Sequence, residues 1–472
     1  MGKGSFIPKR EKMSYIDGLI SALKAGKRDG RIKCGALGLG KTNLAVLNFL
    51  KGNGFDLVLR DTRAGVTVPD HLKTCEVYLG KSAFDNIDED VLFISPSVNR
   101  NRPEITSLPP SVLVTSDCEE FFKATRVPIF AVTGSDGKST VTTLTSAILS
   151  ASGTYAPAIG NIGTPYVCAQ NADAYVTELS SFNLEYIKPK CFAAAITNIT
   201  PNHLDFHGSL EDYRQAKLNI LDNTERAVLC YDDPESRKII SDIKPFAVFS
   251  TKAFESELRA KTRALHLYTL ENGFLCADGQ RIIGINELTR REDYNLKNML
   301  CSIALTGELA SIDAIQNTLT SFKGLRHRCE HILSYRGIDF YDSSIDTSPT
   351  RAASTLNSLN RRVRLILGGR GKGLDPTVMR EPILKYASAI ALYGEEGEKL
   401  CAWLSSDAEL SQIPYAYFKG FDRAVDYATS NLNSTDTVLL SPACTAYGEF
   451  ISFEERGERF RSLIYEKFGQ KP

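Results

Sequence analysis

Short apolar runs alternate with amphipathic segments along nearly the whole chain. The runs that we interpret as buried strands are Ile32–Ala36, Leu57–Arg60, Val91–Ile94, Pro128–Val132, Ala174–Val176, Phe192–Ile196, Val363–Leu367, Ala389–Tyr393 and Thr437–Leu440. Apolar residues at helical spacing follow the first and fourth runs, at Leu44–Leu50 and at Val141, Leu144, Ala147 and Ile148. This alternation predicts the α/β fold class, with parallel sheets covered by helices and ligands at the carboxyl ends of the strands.

The chain of 472 residues is too long for one ordinary core, and at about 150 residues per domain it suggests three domains. A Pro-Pro step and mixed polarity between Ser107 and Val127 indicate the first boundary. The segment Gly324-Leu-Arg-His-Arg328 opens the last unit. We therefore predict domains at residues 1–123, 124–324 and 325–472.

Composition excludes several classes of protein. Lys plus Arg and Asp plus Glu both number 56, so the basic excess of a nucleic-acid binder is absent. No apolar run is long enough to span a bilayer, and the first residues lack the apolar core of a secretory signal. The eleven cysteines include no C-x-x-C pair, which favours reduced thiols. We expect a cytoplasmic protein with no membrane or nucleic-acid partner.

The clearest motif for chemistry is Thr133-Gly-Ser-Asp-Gly-Lys-Ser-Thr140, between a predicted strand and a predicted helix. In this context the backbone N–H groups of a glycine-rich turn can approach phosphate oxygens. Lys138 would neutralise the terminal phosphates, and Ser139 could bind Mg²⁺. The alternative is an ordinary glycine turn with a solvated lysine.

A second glycine-rich turn competes with the first. Gly35-Ala-Leu-Gly-Leu-Gly-Lys-Thr42 matches the G-x-x-x-x-G-K-[ST] spelling of a P-loop more closely. However, Asp61 follows Gly40 by 21 residues at the end of the next strand, which is also typical of a Rossmann-type nucleotide site. Spacing alone does not separate these two interpretations.

Polar residues follow other predicted strands. Asp61-Thr-Arg63 and Ser95 do so in the first unit, where a capped turn is the alternative. In the second unit Glu178 and His203 are positioned to meet the phosphate loop and would suit a divalent cation, although a lone histidine is more often a structural hydrogen-bonding group.

Three further sites are less distinctive. By pattern alone Lys217 is an exposed helix lysine. In the last unit Gly368-Gly-Arg-Gly-Lys372-Gly offers fixed positive charge to an anionic substrate. The segment Ser441–Thr445 is either another strand-end loop or a helix-capping turn.

In chain order, six motifs resemble those of the Mur ligase family. They are Thr133-Gly-x-x-Gly-Lys-Ser139, Glu178-Leu-Ser-Ser-Phe182, Asn198-x-x-x-x-His-Leu-Asp205, Tyr213-Arg-x-Ala-Lys217, Tyr294-Asn-x-x-Asn298 and Gly324-Leu-x-His-Arg-x-Glu330. Three more segments resemble the branch of the family that adds D-glutamate. They are Asp61-Thr-Arg63, Gly160-Asn-Ile-Gly163, and Leu439-Leu-Ser-Pro-Ala-Cys444 followed by Phe453-Glu-Glu-Arg-Gly-Glu-Arg-Phe460.

The resemblance implies three domains: an N-terminal Rossmann-like domain for a UDP-linked substrate, a central P-loop ATPase-type parallel sheet, and a C-terminal Rossmann-like domain. It also implies an ATP- and Mg²⁺-dependent ligase of peptidoglycan precursor synthesis, which adds D-glutamate to UDP-N-acetylmuramoyl-L-alanine through an acyl phosphate. We expect these small molecules to be its only partners, and we expect the protein to be a monomer.

The resemblance also assigns residues to ligands. For ATP they are Gly134, Ser135, Asp136, Gly137, Lys138, Ser139, Thr140, Asn295, Asn298 and Arg328. For the UDP substrate they are Asp61, Thr62, Arg63, Ser95 and Asn161, and for D-glutamate Thr347, Lys372 and Phe453. Ser139 and Glu178 would hold one Mg²⁺, and His203 with a carbamylated Lys217 a second. Carbamylation needs a neutral amine, so a lowered pKa is expected for Lys217.

Some segments depart from the family pattern. Many members have Asp-Ser-Lys-Ala-Thr where this chain has Tyr341-Asp-Ser-Ser-Ile-Asp-Thr-Ser-Pro349, so Ser344 or Ile345 replaces their lysine. Ala446 replaces a frequent serine, and Pro201-Asn202 a frequent acidic pair. The first thirty residues have no clear counterpart.

Several other functions fit parts of the chain. A Mur-type ligase for a different amino acid and a folylpolyglutamate-synthetase-like enzyme are alternatives within the enzymes, and Asp61-Thr-Arg63 argues against the second. A nucleotide-regulated binding protein is the alternative from another class. A dehydrogenase is weaker, because no catalytic constellation accompanies the first glycine-rich turn.

Overall fold

The computed structural model describes residues 32–201, 203–371 and 373–469, without the side chains of Leu204 and Asp205. The strands are β1 Lys33–Leu37, β2 Asp56–Asp61, β3 Glu76–Leu79, β4 Val91–Ile94, β5 Leu113–Thr115, β6 Ile129–Thr133, β7 Ala158–Gly160, β8 Tyr175–Glu178, β9 Lys190–Ile196, β10 Asn223–Cys230, β11 Ala247–Ser250, β12 His266–Glu271, β13 Phe274–Ala277, β14 Gln280–Gly284, β15 Glu330–Tyr335, β16 Ile338–Asp342, β17 Val363–Gly368, β18 Ala387–Tyr393, β19 Tyr415–Phe418 and β20 Thr437–Leu440.

The α-helices alternate with these strands. They are α1 Lys41–Gly52, α2 Pro103–Thr106, α3 Asp117–Ala124, α4 Lys138–Ala151, α5 Ser181–Leu184, α6 Leu204–His207, α7 Leu210–Leu218, α8 Pro234–Asp242, α9 Glu255–Lys261, α10 Asp293–Thr306, α11 Ile312–Ser321, α12 Pro349–Leu359, α13 Arg380–Tyr386, α14 Gly394–Ser406, α15 Phe421–Ala428 and α16 Phe453–Phe468. The α/β fold class is confirmed.

Three sheets carry the fold. The first has the order β3-β2-β1-β4-β5 and is parallel throughout, which matches the first five strands of the Rossmann order 3-2-1-4-5-6. The second has the order β14-β13-β12-β11-β10-β9-β6-β8-β7, with antiparallel pairing only at β12–β13–β14. The third has the order β15-β16-β20-β17-β18-β19 and is parallel except for β15.

The described residues form two compact units, which divide between Phe322 and Lys323. One continuous apolar core joins the first two sheets. At this junction Phe121 of α3 packs on Tyr166 and Tyr175, with ring centroids 4.8 and 5.5 Å apart. The second unit has its own cores on the two faces of its sheet. The predicted boundary between the first and second domains, at residues 123 and 124, stays a prediction.

Every strand predicted from the apolar runs is present, and no end differs by more than two residues. The segment Ser107–Val127 is not irregular, since it contains β5 and α3. Ala147 was wrongly assigned to the buried face of α4: it is exposed, whereas Thr142 and Thr145 are buried. The pattern of apolar residues alone did not identify the buried face of α4, because threonine side chains also pack between a helix and a sheet.

Candidate active site

The glycine-rich segment 133–140 connects β6 to α4, as predicted. Gly134 and Gly137 have φ angles of +148° and +82°, which side chains rarely adopt. The N–H groups of Ser135 and Asp136 donate to Oδ1 of Asn198, at 3.2 and 3.0 Å. Helix α4 begins at Lys138, so its positive end faces this turn and favours an anion there.

Lys138 lies across the turn. Its Nζ donates to the carbonyl oxygens of Gly134 and Ser135, at 2.9 Å each. The ammonium is therefore held by neutral acceptors at the start of the helix. A phosphate group that binds the turn would meet this charge directly.

Ser139 and Glu178 form a buried pair at the end of β8. The Ser139 hydroxyl donates to Oε2 of Glu178 at 2.6 Å, and the two residues are 6% and 8% exposed. Both side chains can supply oxygen ligands beside the phosphate turn. Such a hydroxyl and carboxylate are the ligand types that Mg²⁺ prefers.

Lys217 on α7 is buried, with 1% of its surface exposed. Its Nζ donates to the Gly134 carbonyl at 2.8 Å and lies 4.6 Å from the centroid of the Tyr213 ring. Burial, followed by the charge of Lys138, lowers the pKa of Lys217 well below its ordinary value. The lowered pKa is confirmed, whereas the pattern-based interpretation as an exposed helix lysine was wrong.

His203 follows β9 and has a φ angle of +53°, an uncommon conformation for a residue other than glycine. Its ring lies 4.8 Å from that of Phe182, in the segment that follows Glu178. The exposed imidazole thus lies on the same side of the sheet as the loop after β8. Asn202 lies outside the described residues.

The two asparagines of α10 differ in their contacts. Asn298 approaches the phosphate turn so closely that a Cβ atom at Gly137 would collide with its Oδ1. Asn295 instead donates from Nδ2 to Oε2 of Glu292, at 2.9 Å. Both are buried, but the structure brings only Asn298 against the turn.

Three residues that support the turn received no role from the sequence. The hydroxyls of Tyr213 and Ser135 are 2.9 Å apart, and Thr197 donates from Oγ1 to the Asp136 carbonyl at 2.6 Å. Asn198 accepts from the turn as described above. Tyr213 and Asn198 are the first residues of two of the family motifs, which was the signal that could have identified them.

The carboxylate of Asp61 accepts the Leu39 N–H at 2.7 Å, at the first glycine-rich turn. Arg63 donates to it from Nε and Nη2, at 2.9 and 2.8 Å. Burial opposes the ionised form, but the hydrogen bonds from Arg63 prevail and lower the pKa of Asp61. This contact and the sheet order favour the Rossmann-type interpretation of the turn. Thr62 is exposed.

Asn161 meets elements of the first sheet. Its Nδ2 lies 3.4 Å from Oδ1 of Asn183, and it lines a small cavity together with Thr42, Pro96 and Asp117. Ser95 directly precedes Pro96, and its hydroxyl lies 3.1 Å from that of Ser97. The predicted residues of the UDP-substrate side thus lie around the loops that follow β1, β2, β4 and β7.

In the second unit, Arg328 lies just before β15, Thr347 lies in the loop before α12, and Phe453 begins α16. Ser344 is completely buried: its hydroxyl donates to the Phe453 carbonyl at 2.8 Å and accepts from Nε of Arg456 at 2.9 Å. It therefore ties the Thr347 loop to α16.

The segment that follows β17 also has a fixed neighbour. Lys372 itself lies outside the described residues. The backbone of Arg370, two residues before it, exchanges hydrogen bonds of 3.0 Å with Thr445, in the loop that follows β20. The strand-end loops after β17 and β20 are therefore joined.

Two family profiles match the chain. The profile described as "Mur ligase MurD-like, N-terminal domain" matches residues 33–110, and "Mur ligase middle domain" matches residues 132–306. The second range contains the phosphate turn, Glu178, His203 and Lys217. The fold and these motifs define the class of Mur ligases.

Curated relatives narrow this class. UDP-N-acetylmuramoylalanine--D-glutamate ligase of Haemophilus influenzae is 34% identical over 90% of this chain and 96% of its own. That of Clostridium novyi is 31% identical over 91% and 95%. The chain therefore belongs to the UDP-N-acetylmuramoylalanine--D-glutamate ligase family of Mur ligases.

Solved structures agree in fold. A pseudomurein peptide ligase type C from Methanothermus fervidus superposes with a TM-score of 0.53 and 16% identity, covering 92% of this chain and 100% of that one. UDP-N-acetylmuramoyl-L-alanyl-D-glutamate--2,6-diaminopimelate ligase gives 0.51 and 17%, covering 80% and 87%. Separately, none of the helices in the described part of the chain is long and apolar enough to cross a membrane.

Proposed function

We propose that the protein uses ATP to join D-glutamate to UDP-N-acetylmuramoyl-L-alanine, in the synthesis of peptidoglycan precursors. The observation that carries the proposal is the convergence of Lys138, Lys217 and the Ser139–Glu178 pair on the phosphate turn. The names of the curated relatives support D-glutamate as the acceptor.

The proposed reaction has two steps. The alanyl carboxylate of the substrate attacks the γ-phosphorus of ATP; the β–γ bridging P–O bond breaks, and ADP leaves with its electron pair. The D-glutamate nitrogen then attacks the acyl carbon, and phosphate leaves as the amine loses its proton. Lys138 and the positive end of α4 stabilise the negative charge that develops on the transferred phosphoryl group.

The Ser139–Glu178 pair fits a divalent cation, because a buried carboxylate bonded to a hydroxyl offers two oxygen ligands beside the phosphates. Bound Mg²⁺ would offset charge between the nucleotide and the acceptor. His203 and Lys217 are the proposed ligands of a second ion. The neutral amine of Lys217 would attack CO₂ and release a proton, which converts a buried cation into an anionic oxygen ligand.

The other substrates are proposed to bind at strand-end loops. Residues 1–123 would hold the UDP substrate through Asp61, Thr62, Arg63, Ser95 and Asn161. Residues 124–324 would hold ATP, with Asn295 and Asn298 on α10. Residues 325–472 would supply Arg328 to ATP, and Thr347, Lys372 and Phe453 to D-glutamate. Because ATP and UDP-sugars are cytoplasmic metabolites, we propose that the enzyme acts in the cytoplasm, as a monomer.

The decisive test measures phosphate release from Mg-ATP in the presence of UDP-N-acetylmuramoyl-L-alanine, with D-glutamate, L-glutamate, L-alanine or L-lysine added in turn. We expect release with D-glutamate alone. Lys138→Ala is the negative control, and it should abolish release while circular dichroism remains unchanged, because it removes the phosphate-binding cation and no apolar contact of the core.

Two outcomes contradict parts of this proposal. Release that depends on another amino acid would keep the ligase reaction and reject D-glutamate. The absence of release with any of the four amino acids would favour a nucleotide-regulated binding protein.

A further inference from the structure

His207, the last residue of α6, is a buried histidine with both ring nitrogens engaged. Its side chain is 0% exposed. Nδ1 lies 3.0 Å from Oε2 of Glu185, and Nε2 lies 2.9 Å from the hydroxyl of Ser181. The imidazole therefore connects α6 to both ends of α5, the short helix that follows Glu178.

The partners fix the tautomer of a neutral His207. A carboxylate can only accept, so Nδ1 carries the proton and donates to Glu185. Nε2 then accepts from the Ser181 hydroxyl. A serine, a histidine and a carboxylate in this order can activate a nucleophile. Ser181, however, is only 3% exposed, so this arrangement fixes positions instead of presenting a nucleophile to a substrate.

His207 also orders the aromatic rings beside the candidate metal site. Its ring is parallel to that of Phe182 within 4°, with centroids 5.7 Å apart. Phe182 in turn contacts the ring of His203, at 4.8 Å. The Tyr213 ring, which lies next to Lys217, packs on His207 at an interplanar angle of 68°, with centroids 5.4 Å apart. One imidazole thus touches the neighbours of both proposed ligands of the second ion.

We propose that His207 is a positioning residue, which sets the position of His203 through Phe182 and that of Lys217 through Tyr213 for divalent-cation binding. This proposal rests on the metal site of the proposed function. Partners that orient a ligand in this way are worth about 10- to 100-fold in metal affinity or activity.

The test uses the full-length protein and Mn²⁺, whose binding is followed by electron paramagnetic resonance in the presence of a non-hydrolysable ATP analogue. His207→Phe keeps a ring against Phe182 and Tyr213 but removes both hydrogen bonds. We expect the dissociation constant for Mn²⁺ to rise about 10-fold. His207→Asn, whose amide can still donate to Glu185 but which lacks the ring that packs on Phe182 and Tyr213, should also weaken Mn²⁺ binding.

The matched control is His266→Asn. His266 also pairs with a carboxylate, because its Nδ1 lies 2.8 Å from Oδ2 of Asp278, but it lies at the start of β12. This variant should bind Mn²⁺ as the unmodified protein does. In turnover assays, His207→Phe should raise the Mg²⁺ concentration for half-maximal rate and leave the KM for the UDP substrate unchanged.

Unchanged Mn²⁺ affinity in His207→Phe, even with a lower melting temperature, would reduce His207 to a packing role and overturn the proposal. If that variant does not fold, unchanged affinity in His207→Asn has the same meaning. Mn²⁺ binding does not depend on the acceptor amino acid. If His207→Phe binds Mn²⁺ more weakly but the unmodified protein shows no D-glutamate-dependent turnover, the proposed function is rejected and the positioning role remains.

Discussion

At the residue scale, the amine of Lys217 is the most informative group in the candidate site. A buried ammonium is costly because the protein interior solvates charge poorly, and the neighbouring Lys138 adds repulsion. Both effects favour the neutral amine. The Gly134 carbonyl accepts a hydrogen bond from either protonation state, so it does not remove this preference.

The lowered pKa of Lys217 predicts a pH-dependent carbamate. Because the neutral amine reacts and a proton is released, occupancy should rise with pH and fall when CO₂ is removed. We expect a bound carbamate signal in ¹³C NMR with labelled bicarbonate, which Lys217→Arg should lack. An identical signal in that variant would place the modification elsewhere.

At the scale of elements, the turn between β6 and α4 depends on glycine where other parts of the fold approach it closely. A Cβ atom at Gly134 would collide with Oγ1 of Thr197 in the loop after β9, and its φ angle of +148° disfavours any side chain. Thr197 itself holds the turn through the Asp136 carbonyl. The strand-to-helix turn and the loop after β9 therefore form one unit.

Gly134→Ala tests this close packing. Gly153→Ala is the matched control, because Gly153 also has a positive φ angle, +87°, but open space around its Cβ position. We expect Gly134→Ala to cost about 1–3 kcal/mol more in unfolding free energy, since it adds overpacking to backbone strain. It should also weaken ATP binding in calorimetry. Equal losses in the two variants would show that the contact with Thr197 relaxes freely.

At the scale of the whole molecule, the first two sheets share a core, whereas the described residues from Lys323 onward form a separate compact unit. Phe121 illustrates the shared core: it belongs to α3, after the first sheet, but packs on Tyr175 of β8 and on Tyr166, between β7 and β8 in the second sheet. Elements that share a buried core unfold together. The number of unfolding transitions therefore need not equal the number of sheets.

Calorimetry should therefore show two unfolding transitions. Phe121→Ala should destabilise the one that belongs to residues 1–322 by about 3–5 kcal/mol, the usual cost of deleting a buried ring. Phe421→Ala, which removes a fully buried ring of the second unit, should shift only the other transition. Three transitions would instead indicate that the predicted domains at 1–123 and 124–324 unfold independently.

The sequence by itself determined nine of the twenty strands in the described residues, the α/β class and the turn between β6 and α4. These features depend on apolar runs and glycine chemistry within a few neighbouring residues. The family motifs also carried Glu178, His203 and Lys217 into the candidate site. The same signals could not find His207, because it acts through partners from other elements.

Only the tertiary structure decided burial and charge state. Lys217 and Gly134 are 83 residues apart, and helical periodicity contains no information about which loop packs on α7. Ser344 is similar: local pattern does not predict that it is buried against Arg456, 112 residues away. A side chain's solvation depends on all the elements that cover it, so its pKa and its chemistry are properties of the folded chain.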